Sequence, residues 1–256
     1  MKYRRIINME MLSYDAVLLP NSVWSGFFEK DGRLGPVRGV CRMPLVLALR
    51  ESKVRELGLD FKTLGVSDLL KIIKEKDLGL AIPSIAHSGA GNLFYMNMIY
   101  NLLGRTENIT SEDLESSALR RELEPLLSRL RTGEDIEDWN YPYLDEEIDG
   151  MLGYGHYFTE LNLELLEQGK DNLFLIYPLE GMLFDTATLY YIDRGIKIKD
   201  IIFNLIQCSH LNIENEVFAD GYMGTPAELL HYPDKEVVLQ ALKMGESMEE
   251  PVKLSD

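Results

Sequence analysis

The residues best suited to chemistry lie in one small-residue stretch, Pro83-Ser84-Ile85-Ala86-His87-Ser88-Gly89-Ala90-Gly91-Asn92. The apolar run Leu78-Gly79-Leu80-Ala81-Ile82 precedes it, and a helix-like run from Leu93 to Tyr100 follows. The order predicts a strand, a loop and a helix. Free N–H groups at a helix start attract anions, while serine hydroxyls and glycines let a ligand come close. The same residues also suit a plain cap, with Ser84 or Ser88 capping and the glycines turning. Both readings stand on this stretch alone.

Enzymatic signatures are missing. No G-x-S-x-G elbow, phosphate-binding G-x-x-x-x-G-K, H-E-x-x-H or G-x-G-x-x-G occurs. Cys208-Ser209-His210, at the end of a predicted helix, is not a convincing nucleophile–base pair, and Cys208 reads as a core residue. Metal sites take three or four ligands, and no spacing of His, Cys and carboxylates here is of that kind. Carboxylates are plentiful, but nothing marks out a catalytic pair. No catalytic residue, metal or cofactor is expected.

The elements that must position the loop follow from pattern. Tyr14–Leu19 is an apolar run closed by Pro20-Asn21-Ser22, and Pro44–Leu49 is another; both read as strands. Helices are predicted from Val66 to Lys74, with Ser67 as N-cap, and from Thr110 to about Arg131, with Pro125 opening a second helix in its first turn. A strand over Asp149–Gly153 leads into a helix from Tyr154 to Glu167, stopped by Gly169. Leu173–Pro178 reads as a strand, and Asp200–Ser209 and Lys235–Gly245 as helices. Strands alternating with helices predict an α/β fold with a mostly parallel sheet, whose ligands sit beyond the strand C-termini. Three loops lie there: Asn21-Ser22, Ser84–Gly91 and Gly153–His156.

Bulk properties narrow the function classes. The chain has 256 residues, 46% of them hydrophobic, enough for one large domain or two lobes. A net charge of −16 argues against nucleic-acid binding, which asks for a basic footprint. No apolar run is long enough to span a membrane. Met1–Ile7 starts like a signal peptide, but Glu10 and Asp15 interrupt it before an apolar core accumulates. As written the chain reads as cytoplasmic; it would be extracytoplasmic if its true N-terminus lies further upstream. The acidic stretches Glu134–Asp138 and Asp145–Glu147 read as solvated loops. Cys41 and Cys208 are read either as free thiols or as one bridge.

The order of segments resembles the bacterial extracellular solute-binding protein family, of the type 2 periplasmic-binding-protein fold. Molybdate-, sulfate- and phosphate-binding proteins are relatives. The matching elements are Tyr14–Trp24, Met43–Leu49, Leu57-Gly58, Ile82–Gly89, Thr110–Leu114, Gly153-Tyr154 and Leu175–Gly181. The resemblance implies two lobes, residues 1–49 with 171–256 and residues 50–170, closing over a small ligand without turnover. On that reading Asn21 and Ser22 face the cleft from the first lobe. Ser84, His87, Ser88, Gly89, Tyr154 and His156 face it from the second, with both histidines on neighbouring loops, able to hydrogen-bond an anion or supply two metal ligands. Trp24, Tyr154 and Phe184 either line the cleft or pack in the core.

Departures from the pattern set the alternatives. Only about a dozen residues precede Asp15-Ala16, so either the first lobe lacks its first βα unit or the chain is truncated. Ala86, His87 and Gly91 replace the family's hydroxyl or amide residues, Met43 its serine before proline, and Gly155 an acidic residue. Weak or no oxyanion binding is therefore expected, and a larger, partly apolar ligand. The second reading is a protein-interaction or regulatory remnant with a degenerate cleft; a cytoplasmic enzyme is third. Val238–Leu242 resembles the linker that precedes a von Willebrand factor A domain in some members, so such a domain, or another protein, is a candidate partner.

Overall fold

The computed structural model describes residues 16–19, 34–58, 60, 64–76, 78–104, 109–133, 148–178, 184–192, 235–248 and 250–251. The chain divides into two compact units, Met1–Met43 with Asp185–Val217 and Pro44–Phe184 with Phe218–Asp256. In the first unit, strand β1 (Ala16–Leu19) pairs antiparallel with β7 (Phe184–Ile192), Ala16 opposite Tyr191 and Leu19 opposite Thr188.

Strand β2 spans Leu34–Arg50, and its C-terminal part from Pro44, the apolar run predicted at Pro44–Leu49, is the strand on which the second unit is built. It is followed by helices α1 (Glu51–Leu57) and α2 (Val66–Glu75), strand β3 (Leu80–Pro83) and helix α3 (Gly89–Leu103). Next come α4 (Ser111–Glu115), α5 (Ser117–Leu127), β4 (Leu130–Gly133) and β5 (Gly150–Tyr154). Helix α6 (Gly155–Glu167), strand β6 (Leu173–Ile176), helix α7 (Lys235–Glu246) and the short strand β8 (Glu250–Pro251) complete it.

The strand order in this unit is β6-β2-β5-β3-β4-β8. Strands β5, β3, β4 and β8 run parallel, whereas β2 is antiparallel to both β5 and β6. The sheet is therefore more mixed than the sequence suggested, because β2 enters at the edge where its neighbours end. Alternation of side chains along β2 buries both faces. Val46 and Ala48 join Ala81, Met151, Phe158, Leu161 and Leu165 in a core under α6. Leu45, Leu47 and Leu49 point the other way and are equally buried. Helix α3 is buried from Ala90 to Tyr100 with no polar face, as its run of apolar residues requires.

Several expectations change. The compact units divide at 43/44 and 184/185. Leu45–Leu49 pair with β5 and Leu47–Arg50 with β6, so these segments are bonded within the second unit. Helix α7 packs on α3 and α4 of the same unit. Gly65, not Ser67, precedes α2, and the Asp68 carboxylate accepts from the Gly65 N–H at 3.0 Å. Ser116 breaks the charged helical region, and Pro125 lies within α5 rather than opening a helix. It lies in the last turn of α5, past the first turn where its missing N–H would cost nothing, so the helix forgoes the bond to the Arg121 carbonyl there. Thr110 and Asp113 form a reciprocal capping box, 2.9 and 3.3 Å, and Gly169 ends α6 in the left-handed conformation. The predicted Asp200–Ser209 helix, the two acidic stretches, Asn21, Ser22, Trp24, the residues before Ala16 and Cys208 lie outside the described residues.

Within α3 the Tyr95 side chain is fully buried, and its hydroxyl has no hydrogen-bond partner among the described residues. Burial pushes this phenol well above the ordinary tyrosine range, and the Arg120 charge offsets that only in part. An unpartnered buried hydroxyl costs about 1–3 kcal/mol. Tyr95→Phe is therefore expected to stabilise the protein by about 1 kcal/mol, a rise of roughly 2–4 °C in melting temperature for a chain this size. A loss of stability in calorimetry would reveal a partner for the hydroxyl.

Candidate functional site

Strand order brings the candidate loops of the second unit together. Strand β3 connects through α3, α4 and α5 to β4 on one side, whereas β5 connects through α6 to β6 on the other. The connections diverge between β3 and β5, the kind of switch point where open α/β sheets bind ligands. The strands are parallel there, Leu80 opposite Gly150, so Ser84 and Gly155 begin the loops at one edge. Leu45 lies opposite Tyr154 and Ile176 opposite Leu47, which adds the start of the second unit's β2 segment and the end of β6 to that edge.

Two helices start at this edge, α3 at Gly89 and α6 at Gly155, and neither carries an acidic residue in its first turn. Their N-terminal dipoles are thus not neutralised by their own first-turn side chains, and each favours negative charge by about 0.3–1 kcal/mol. The loop before α3 is tightly tied. Ser88 N–H donates to the Ser84 carbonyl at 3.0 Å and Asn92 N–H to the Ser88 carbonyl at 2.9 Å. The Ser88 hydroxyl accepts from Gly91 N–H at 3.5 Å, and the Asn92 side-chain amide donates to the Ile85 carbonyl. Ser84 is 3% exposed and Ile85 fully buried. Of the predicted loop residues, Ser88 is the N-cap, Gly89 the first helical residue, and His87 is exposed. His87 Nε2 lies 3.9 Å from the Glu246 carboxylate of α7.

On the neighbouring strand, Tyr154 ends β5 and is buried, its ring 6.2 Å from that of Tyr157 at a 36° tilt. His156 is the second residue of α6. A methyl group at Gly155 would lie 2.8 Å from the Tyr177 hydroxyl, which places that hydroxyl over the start of α6. Pattern reading singled out neither the Tyr177 hydroxyl nor the approach of α7 to Ile85; only pairing of β6 with β2 and packing of the tail create those contacts. Gly91 also changes meaning. Its Cβ would fall 2.4 Å from the Ser84 carbonyl oxygen and 2.5 Å from that of Pro83, so no side chain fits where the family pattern has a polar one. Among the described residues no three His, Cys, Asp or Glu side chains gather to hold a metal, and no helix is long and apolar enough to cross a membrane.

No protein-family model and no curated protein sequence matches the chain. Solved structures do. Iron-bound HitA from Pseudomonas aeruginosa superposes with a TM-score of 0.59 at 16% identity, covering 96% of this chain and 85% of that one. The substrate-binding protein of an ABC transporter from Agrobacterium tumefaciens gives 0.58 at 10% identity, over 97% and 83%. A periplasmic thiamin-binding protein gives 0.56 at 13% identity, over 92% and 79%. At such identities the likeness is one of fold, and this chain has the α/β fold of the ABC-transporter solute-binding proteins.

Proposed function

We propose that this protein binds a small solute without chemical turnover, at the edge of the second unit where β3 and β5 end. The observation that carries the reading is the convergence of two helix starts at the switch point of a sheet whose fold neighbours are solute binders. The amides of Gly89 and Ala90 and the exposed His87 are the polar contributors, with Tyr154 at the end of the neighbouring strand and His156 in the first turn of α6. Asn21 and Ser22, expected from the sequence pattern, lie outside the described residues. Because the Ser88 hydroxyl is engaged in capping and Ser84 is buried, the donor set is thin for a bare oxyanion. A larger solute with one anionic or polar group and an apolar body fits better. The neighbours described as periplasmic or as ABC-transporter proteins favour action outside the cytoplasm over the cytoplasmic placement drawn from Met1–Ile7.

A thermal-shift screen of oxyanions, sugars, amino acids and vitamin-like heterocycles tests this. A specific solute at a hundred times its Kd stabilises by about 2.7 kcal/mol, about 5–10 °C for a chain this size. Stabilisation by an organic acid or heterocycle, and not by sulfate, molybdate or phosphate, is expected. The burial of Ser84 and the engagement of Ser88 as a cap favour one other reading, a protein-interaction remnant, and a screen without any stabiliser would support it.

A further inference from the structure

We propose that Gly245, in the last turn of α7, is a positioning residue for the loop Ser84–Ser88, so that the C-terminal segment and the candidate site are coupled. This rests on the solute-binding reading only for its functional meaning; the coupling itself is a property of the fold.

The tail resembled a linker in sequence, yet it is an integral layer of the second unit. Val238 and Ala241 are fully buried, and Leu242 and Met244 nearly so. At Gly245 the helix approaches so closely that a Cβ would lie 2.9 Å from Ile85 Cγ2 and 2.9 Å from Tyr95 Cζ. Glycine is what lets the backbone come down onto the loop. Ile85 is therefore held twice. Its side chain lies under α7, and its carbonyl accepts from Asn92. Displacing Cγ2 turns the carbonyl that Asn92 holds. Ser84 and Ser88, joined by the Ser88 N–H to Ser84 carbonyl bond, flank it and move with it. The helix cannot slide away to relieve a clash. Beyond it, Glu250 and Pro251 pair with Arg131 and Thr132 of β4, and Met248 N–H closes onto the Gly245 carbonyl at 2.9 Å. His87, facing Glu246, adds a second contact between loop and tail.

Hydrogen exchange on the full chain tests this without any ligand. In Gly245→Ala the Ser88 and Asn92 amides are expected to exchange roughly tenfold faster, with the β2–β5 ladder unchanged, because local openings are separable from global ones. Adding Ile85→Leu, which removes the Cγ2 contact at nearly constant volume but leaves the equally close Tyr95 ring, is expected to restore part of the protection. If Gly245→Ala does not fold, Ile85→Leu alone serves: coupling is reciprocal, so the Ser247 and Met248 amides must then exchange faster. Faster exchange confined to α7, with Ser88 and Asn92 untouched, overturns the proposal, as does unchanged exchange at Ser247 and Met248 in the Ile85→Leu fallback. Loop loosening combined with a solute screen that finds no stabiliser would leave the coupling standing and remove the solute reading instead.

Discussion

Gly91→Ala is expected to destabilise the protein by about 1–2 kcal/mol net, although Gly91 lies inside a helix where alanine normally gains about 1 kcal/mol over glycine. The added methyl group would fall 2.4 and 2.5 Å from two backbone oxygens and 2.8 Å from the Ser84 carbonyl carbon. Backbone atoms cannot rotate aside as the end of a side chain can. The first turn of α3 must lift or the β3 end must move, and overpacking of this kind typically costs 1–3 kcal/mol, occasionally more. The clash therefore outweighs the propensity gain. Urea unfolding with an unchanged m-value measures it. A gain of about 1 kcal/mol would mean that the β3–α3 junction yields easily. Since the same shift displaces the Gly89 and Ala90 amides, any solute found in the thermal-shift screen is expected to lose its stabilising effect on this variant.

The second large effect is expected at Asn92. Its side chain is 2% exposed and donates to the carbonyl of Ile85, itself in a fully buried residue. Truncation to alanine leaves that carbonyl without this donor, at about 1–3 kcal/mol, and opens a small void besides. A loss of about 2–4 kcal/mol is expected, with the melting temperature falling by roughly 5–15 °C. Asn101→Ala is the comparison. Asn101 also donates to a backbone carbonyl, that of Asn97 at 2.8 Å, but it is only half-buried, and water can replace it. Its loss is expected to stay under about 1 kcal/mol. Equal effects at the two positions would show that burial of the loop does not amplify the hydrogen bond.

Taken together, these substitutions describe a loop whose polar groups serve mainly to hold it in place. Ser88 caps, Asn92 ties the turn, and Gly91 permits close approach. The plain-cap reading and the ligand reading of Pro83–Asn92 are therefore compatible. The side chains build the turn, and on the proposed solute-binding reading recognition falls to the first amides of α3 and to His87.

Element types under the control of local pattern could be read directly from the residues. The apolar run before Pro83 is a strand, the all-apolar run after Asn92 is a buried helix, and Thr110 with Asp113 and Gly169 mark real helix ends. The α/β class and the solute-binding-protein fold were legible from the order of segments, and strand polarity then carried Ser84 and Gly155 to one edge of the sheet. Capping at Gly65 went against pattern because the Asp68 carboxylate takes the Gly65 N–H, and α5 continues through Pro125 rather than restarting there. Which segments share a unit was settled by long-range pairing and burial. Hydrogen bonds joined Leu45–Arg50 and β6 to the second unit, and burial of Val238 and Ala241 turned an apparent linker into a layer over the site. Those contacts join residues far apart in the chain, such as Ile85 with Gly245, and no local periodicity records which distant surface will cover a given apolar face.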